Sequence, residues 1–272
     1  MERIATPRHY LMCRPTYFDV TYEINPWMDV DRETDTARAV AQWQELHDTY
    51  LELGHTVELI DPIPGLPDMV YAANGATIVD GLCYSAKFRY PQRQPEGPAY
   101  AAWFAERGVR VHEAAEVNEG EGDILLVGDA FLAGSGFRTD TAAHGELAAA
   151  SGREVVTLEL VNPNYYHLDT ALAVLDADPQ APVVAYYPPA FSPASRAVLT
   201  ERYPDAILAT DADAAALGLN AVSDGRNVVV APAAVDLAAA LTERGFHPRG
   251  VETTELLKGG GGAKCCTLEI RR

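Results

Sequence analysis

Apolar and polar positions alternate along the chain in short runs that read as strands, interrupted by longer stretches with a helical period. Residues 9–13 and 18–22 have strand patterns, and residues 22–28 leave the second as an ordered loop. Between 31 and 54, Ala37, Val40, Trp43, Leu46, Tyr50 and Leu53 recur every three or four positions, which predicts one amphipathic helix ending at Gly54. A strand at 56–60 follows. After a turn-rich segment, strands are expected at 69–72, 76–79 and 82–88, then a helix at 99–107 and a strand at 109–112.

That unit recurs. Strand, polar turn and strand return at 123–127 and 130–133, with a helix at 139–150 and a strand at 154–160. A third copy has strands at 171–175 and 183–187 and a helix at 193–202; a fourth has strands at 221–223 and 227–230 and a helix at 235–244. A fifth begins at Cys265 and runs off the end, so the N-terminus must complete it. The openings of the copies, marked by Asp68, Asp123, Asp169, Asn220 and Cys265, lie roughly 45–55 residues apart. The expected fold is α/β, with five ββαβ modules closed around an axis as a β/α propeller; the competing architecture is an ordinary open α/β sheet. A closed ring would point the polar residue that opens each module into one central, water-restricted site.

Composition narrows the function. The chain has 272 residues, long for one domain but within reach of a closed α/β architecture, so residues 1–272 are expected to form a single catalytic domain. A formal net charge of −18 opposes binding to nucleic acid or to an anionic membrane and favours a small cationic substrate. Neither a secretory leader pattern nor a membrane-spanning run is visible, and a cytoplasmic location is expected. Cys13, Cys83, Cys265 and Cys266 lack metal-ligand spacing, so no metal and no disulfide framework is expected. Oligomeric state stays open, a homo-oligomer included.

The densest chemistry lies in the last dozen residues, where four glycines, Gly259 to Gly262, lead through Ala263 and Lys264 to Cys265 and Cys266. Glycine lets the backbone approach a ligand closely, and on a following strand only one of two adjacent thiols would face a cavity. A nucleophile and an inert buried thiol both fit that stretch taken alone. A nucleophilic cysteine needs a base or imidazolium nearby, and His167, two residues before Asp169, opens a module. The acidic run Glu119-Gly120-Glu121-Gly122-Asp123, with Asp68, would hold a cation. Asn74 and Asn25 are further polar candidates.

These residues carry a resemblance to the guanidino-group modifying superfamily of penteins, which includes arginine deiminase, dimethylargininase and the amidinotransferases. Its carriers are Gly260 to Cys265, the box Glu119 to Asp123, His167 with Asp169, and the segment Gly136-Phe137-Arg138-Thr139-Asp140. The resemblance implies the five-bladed pentein fold, no cofactor, Cys265 as nucleophile and His167 as general acid/base. It further implies Glu119, with Glu121 in reserve, beside the histidine, and Asp169 on the guanidinium nitrogens. Arg138 would take the substrate α-carboxylate, together with Arg89 or Arg93. Ala73-Asn74 stands where deiminases and dimethylargininases carry acidic residues; with Asn25 this is similar to the arginine dihydrolase branch. The function expected is therefore a cysteine-dependent hydrolase acting on the guanidino carbon of arginine, giving ornithine or citrulline plus ammonia. A dimethylarginine dimethylaminohydrolase, an amidinotransferase and a non-catalytic amino-acid-binding propeller are the alternatives.

Overall fold

A computed structural model describes residues 3–271. The first blade begins with β1 (His9–Cys13), α1 (Thr36–Glu52) and β2 (Thr56–Ile60). The second comprises β3 (Ala76–Val79), β4 (Leu82–Ser85), α2 (Glu96–Glu106) and β5 (Arg110–His112). In the third are β6 (Ile124–Val127), β7 (Ala130–Ser135), α3 (Thr141–Ser151) and β8 (Val155–Glu159). A one-turn helix α4 (Leu168–Ala171) then leads into β9 (Leu172–Asp176), β10 (Val183–Tyr186), α5 (Pro193–Arg202) and β11 (Ile207–Leu208). Helix α6 (Asp211–Ala215) precedes β12 (Val222–Ser223), β13 (Asn227–Val230), α7 (Val235–Glu243) and β14 (His247–Gly250), and the last strand is β15 (Leu268–Glu269).

Five three-stranded sheets result, each with one topology: the opening strand pairs antiparallel with the middle one, and the strand after the helix pairs parallel with it. The ring closes as the repeat requires, because β15 pairs antiparallel with β1 through Leu268 and Leu11. Opening strands meet around the axis, β9 lying against β6 and β12, and β15 against β3. Strands near the axis are covered on both faces, so β3 and β4 are buried throughout and are apolar apart from Thr77 and Ser85. The outer β14 is largely exposed and tolerates Pro248 at the sheet edge. Each main helix covers a sheet with a spaced apolar face; α1 buries Ala39, Gln42, Trp43, Leu46, Thr49 and Tyr50. Among the described residues no helix is long and apolar enough to cross a membrane.

Four expectations change. Helix α1 starts at Thr36 rather than 31, because the Asp35 side chain accepts a hydrogen bond from the Arg38 amide and caps it there. Residues 18–22 form no strand: Phe18 and Val20 are buried as core plugs, but no ladder partner runs beside them. Residues 69–72 belong to two tight 3-10 turns, Pro67–Val70 and Ala72–Gly75, which bring Asp68 and Asn74 to the axis. The two cysteines lie in a turn, and the final strand begins only at Leu268.

Candidate active site

The segments that precede the opening strands converge. The 3-10 turn Ala72–Gly75 packs on the turn Gly120–Gly122, which also meets α4. The Ala73 amide donates to the Cys265 carbonyl at 3.0 Å. The shared phase of the repeat thus becomes a physical cluster.

Glycine is required in the terminal run because aromatic side chains sit directly on its backbone. A Cβ at Gly259 or Gly261 would collide with Tyr71, and one at Gly260, whose φ is +92°, would meet Tyr166 and Asn25. Tyr166 donates its hydroxyl to the Gly260 carbonyl at 2.8 Å, and Asn25 Nδ2 donates to the Gly259 carbonyl at 3.0 Å. Asn25 Oδ1 accepts from the Trp27 amide, so that side chain is committed to bracing the loop. The turn after the glycines, closed by Thr267 Oγ1 donating to the Ala263 carbonyl, separates the two thiols. Cys265 Sγ lies 3.2 Å from Asp169 Oδ2 and 3.1 Å from Asn220 Nδ2. Both cysteines belong to the apolar cluster of Tyr10, Met12 and Trp43, but Cys266, fully buried, makes no side-chain hydrogen bond among the described residues. Turn geometry, and not the alternation of a strand, assigns the thiols to different surroundings.

Helix α4 sets the next pair. Its first amide, Leu168 N, donates to Asp123 Oδ1 at 3.0 Å, and Thr170 Oγ1 donates to the His167 carbonyl at 2.7 Å. This small capped turn fixes His167 at its start and Asp169 in its first turn. His167 Nε2 is 2.7 Å from Glu119 Oε2, which also receives Arg138 Nη1 at 2.9 Å. Burial pushes the Glu119 carboxyl up, but Arg138 and the His167 hydrogen bond outweigh it and hold it well below its ordinary value. An ionised Glu119 accepts the Nε2 proton, leaving Nδ1 as the working nitrogen; Nδ1 is buried with no partner among the described residues. Gly122 packs beside it, where a Cβ would lie 3.2 Å from Nδ1 and would collide with Asn74 Nδ2.

Arg138 is already engaged. Its Nη2 donates to the Ile24 carbonyl at 2.8 Å, and its guanidinium lies between the rings of Tyr90 and Tyr166. Arg93 makes a two-pronged pair with Glu96 and donates Nη1 to Asn74 Oδ1 at 2.8 Å. Arg89 is turned outward onto Asp140 and the Arg138 carbonyl. For a substrate carboxylate to reach Arg138, the bond to Ile24 or Glu119 must be exchanged. The two glutamates of the acidic box also part company: Glu121 pairs with Lys264 at 2.8 Å and with Arg271, and accepts the Glu269 amide. Glu119 is the one joined to the imidazole.

Several polar atoms remain buried without a partner among the described residues, notably Asp68 Oδ1, Asp169 Oδ1, His167 Nδ1 and Asn74 Nδ2. Tyr22 holds the other Asp68 oxygen at 2.9 Å, so Oδ1 is the free acceptor. Unmatched buried acceptors on two carboxylates suit a ligand rich in N–H groups. Burial raises Asp68 and pushes Asp169 up to about 7, the latter against the pull of Lys264. Burial, followed by Asp169 and Cys266, likewise drives the Cys265 thiol well above its ordinary value. Burial thus favours the neutral thiol, and a bound cation would favour the ionised form of both carboxylates. Asn220 was legible in the sequence only as the opening of a repeat. Its contact with sulfur, like the capping role of Asp123, depends on a loop path that no spacing encodes.

No family model matches the chain. A Mycobacterium tuberculosis protein named N(G),N(G)-dimethylarginine dimethylaminohydrolase is 56% identical over 269 residues, covering 99% of this chain and 88% of that protein. The bifunctional arginine dihydrolase/ornithine cyclodeaminase ArgZ of Synechocystis is 38% identical over 267 residues, covering 96% of this chain but only 37% of ArgZ. Two crystal structures of the N-terminal domain of ArgZ superpose with a TM-score of 0.92 at 36% identity, covering 97% of this chain and 98% of that domain. One is a cysteine-to-serine variant bound to substrate, the other an asparagine-to-serine variant covalently bonded to a reaction intermediate. The chain belongs to the guanidino-group modifying penteins. Within that family its named relatives are hydrolases, and the chain is a hydrolase acting on a carbon–nitrogen bond of a guanidino group.

Proposed function

We propose that the chain hydrolyses free L-arginine at the guanidino carbon twice, giving ornithine. The observation that carries this reading is the orientation of Asn74. Arg93 can only donate, so the amide oxygen faces it and Nδ2 is turned towards Gly122 and His167. A donor there cannot accept a guanidinium N–H, but it can hold the carbonyl oxygen of the ureido product and keep that product in place for a second attack. Asp68 Oδ1 and Asp169 Oδ1 supply acceptors on separate carboxylates, which a dimethylated nitrogen, lacking N–H, would leave unpaired. The ArgZ domain supports the reading through its fold, its bound substrate and its trapped intermediate.

In the proposed mechanism Cys265 gives up its thiol proton to His167 Nδ1, and Sγ attacks the guanidino carbon to form a C–S bond. His167 gives a proton from Nδ1 to the departing nitrogen, the C–N bond breaks, and ammonia leaves. Water attacks the thiouronium carbon and passes its proton to Nδ1; the C–S bond then breaks, returning sulfur and citrulline. A second round on the ureido carbon consumes one more water and releases ammonia and carbon dioxide with ornithine. Glu119 keeps the imidazole oriented, and Arg138 keeps Glu119 ionised. Holding sulfur and carbon at attack distance can supply about 7–11 kcal/mol of the barrier.

A second reading, dimethylarginine hydrolysis, is favoured by the 56% identity to the mycobacterial protein of that name. Incubation with arginine and, separately, with asymmetric dimethylarginine separates the two. Ornithine with two ammonia per arginine is the expected outcome. Citrulline and dimethylamine from the methylated substrate, with arginine untouched, would sink the dihydrolase reading.

A further inference from the structure

Asn220 is buried to 2% exposure just ahead of β12, in the segment that opens the blade of β12, β13 and β14, and the mechanism above gives it no task. Its amide is fully used. Oδ1 accepts from the Gly262 amide at 2.9 Å and the Cys265 amide at 3.0 Å; Nδ2 donates to the Asp169 carbonyl and to Cys265 Sγ, both at 3.1 Å. Two main-chain N–H groups fix which end is oxygen, so the end that touches sulfur must be the N–H donor.

The other polar contact of the sulfur is Asp169 Oδ2 at 3.2 Å, an acceptor. An acceptor favours S–H and repels a thiolate, whereas a donor favours the anion. Asn220 Nδ2 is therefore the side-chain contact that strengthens when the thiol loses its proton. Its oxygen meanwhile ties the glycine run to the nucleophile's own amide, so sulfur and loop are aligned by one rigid group.

We propose that Asn220 is a catalytic side chain that stabilises the Cys265 thiolate through Nδ2 and pins the glycine loop through Oδ1. The proposal rests on Cys265 being the nucleophile. The two tasks separate by substitution: Asn220→Asp keeps an oxygen for both main-chain donors and removes the N–H, while Asn220→Ala removes both. Asn220→Ser restores a small donor.

The test measures the rate of Cys265 alkylation by iodoacetamide, a neutral reagent, from about pH 6 to 11, with peptide mass spectrometry to count the labelled cysteine. No substrate is needed, so the readout is independent of the reaction assigned. Asn220→Ala should lower the alkylation rate at a given pH about tenfold or more, and Asn220→Asp further. Turnover should fall about 10²- to 10³-fold, as for loss of one preorganised donor, with KM changed far less. Asn220→Ser should lie between these and the unaltered protein. If the alkylation rate at each pH is unchanged in Asn220→Asp and Asn220→Ser while only thermal stability falls, Asn220 is structural and the proposal is wrong. Failure of the nucleophile reading shows itself differently, as turnover that survives Cys265→Ser.

Discussion

The two halves of the site hold their reactive groups in opposite ways. On the imidazole side, the Glu119–Arg138 ion pair holds His167 by a hydrogen bond and is anchored on the Ile24 carbonyl, and every link is at 2.9 Å or less. On the thiol side, Cys265 rests neutral between an amide donor and the carboxylate of Asp169, itself pushed up to about 7 by burial. The first half is charged in advance and rigid. In the mechanism proposed above, the second gains its charge only when a cationic substrate arrives, which would confine the thiolate to the moment when a guanidinium is present.

That contrast can be broken at either end. The largest effect is expected from Cys265→Ser, which should cost on the order of 10⁴-fold or more in turnover while leaving the fold intact. Cys266→Ala, at the very next residue, should cost stability and little turnover, since it removes buried volume and no hydrogen bond to Asp169 or Asn220. His167→Ala should follow at about 10²- to 10⁴-fold.

The glutamates sharpen the comparison further. Glu119→Gln strips the counter-charge from buried Arg138 and the orienting partner from His167, so turnover and thermal stability should fall together; losing one partner of a buried pair costs about 3–5 kcal/mol. Glu121→Gln should cost stability through Lys264 and Arg271 yet change turnover much less. Equal turnover losses in the two variants would dissolve the distinction drawn between them.

The smallest effect is in pH dependence. Asp169 must be ionised to attract a guanidinium, and burial holds it near 7, so kcat/KM should rise as pH rises through about 7. Because its folded value lies above the unfolded one, the folded state binds the extra proton between them, and Asp169 contributes less stability as pH rises through that range. Asp169→Asn should remove this rise.

The ring and its central cluster were legible because the repeat carries them: five similar modules place Asp68, Asp123, Asp169, Asn220 and Cys265 in one phase, and phase becomes proximity on closure. Local conformation was less legible. Residues 69–72 read as a strand and Cys265 and Cys266 as the start of one, but short-range bonds close both into turns: Tyr71 N to the Asp68 carbonyl and Asn74 N to the Tyr71 carbonyl in the first, Thr267 to the Lys264 and Ala263 carbonyls in the second. The choice between Glu119 and Glu121 could not be read either, since both are fully buried and only their partners differ. Arg138 was expected to await a carboxylate; long-range bonds to Glu119 and Ile24, which no local pattern announces, already occupy it.

The most direct test of a thiol activated by the substrate's charge compares two alkylating agents at neutral pH, a haloacetamidine cation and the isosteric neutral haloacetamide, with labelled peptides identified by mass spectrometry. Rapid modification by the cation at Cys265 alone, with slow modification by the neutral reagent, is the predicted result. Equal rates for the two reagents, or preferential labelling of Cys266, would contradict it.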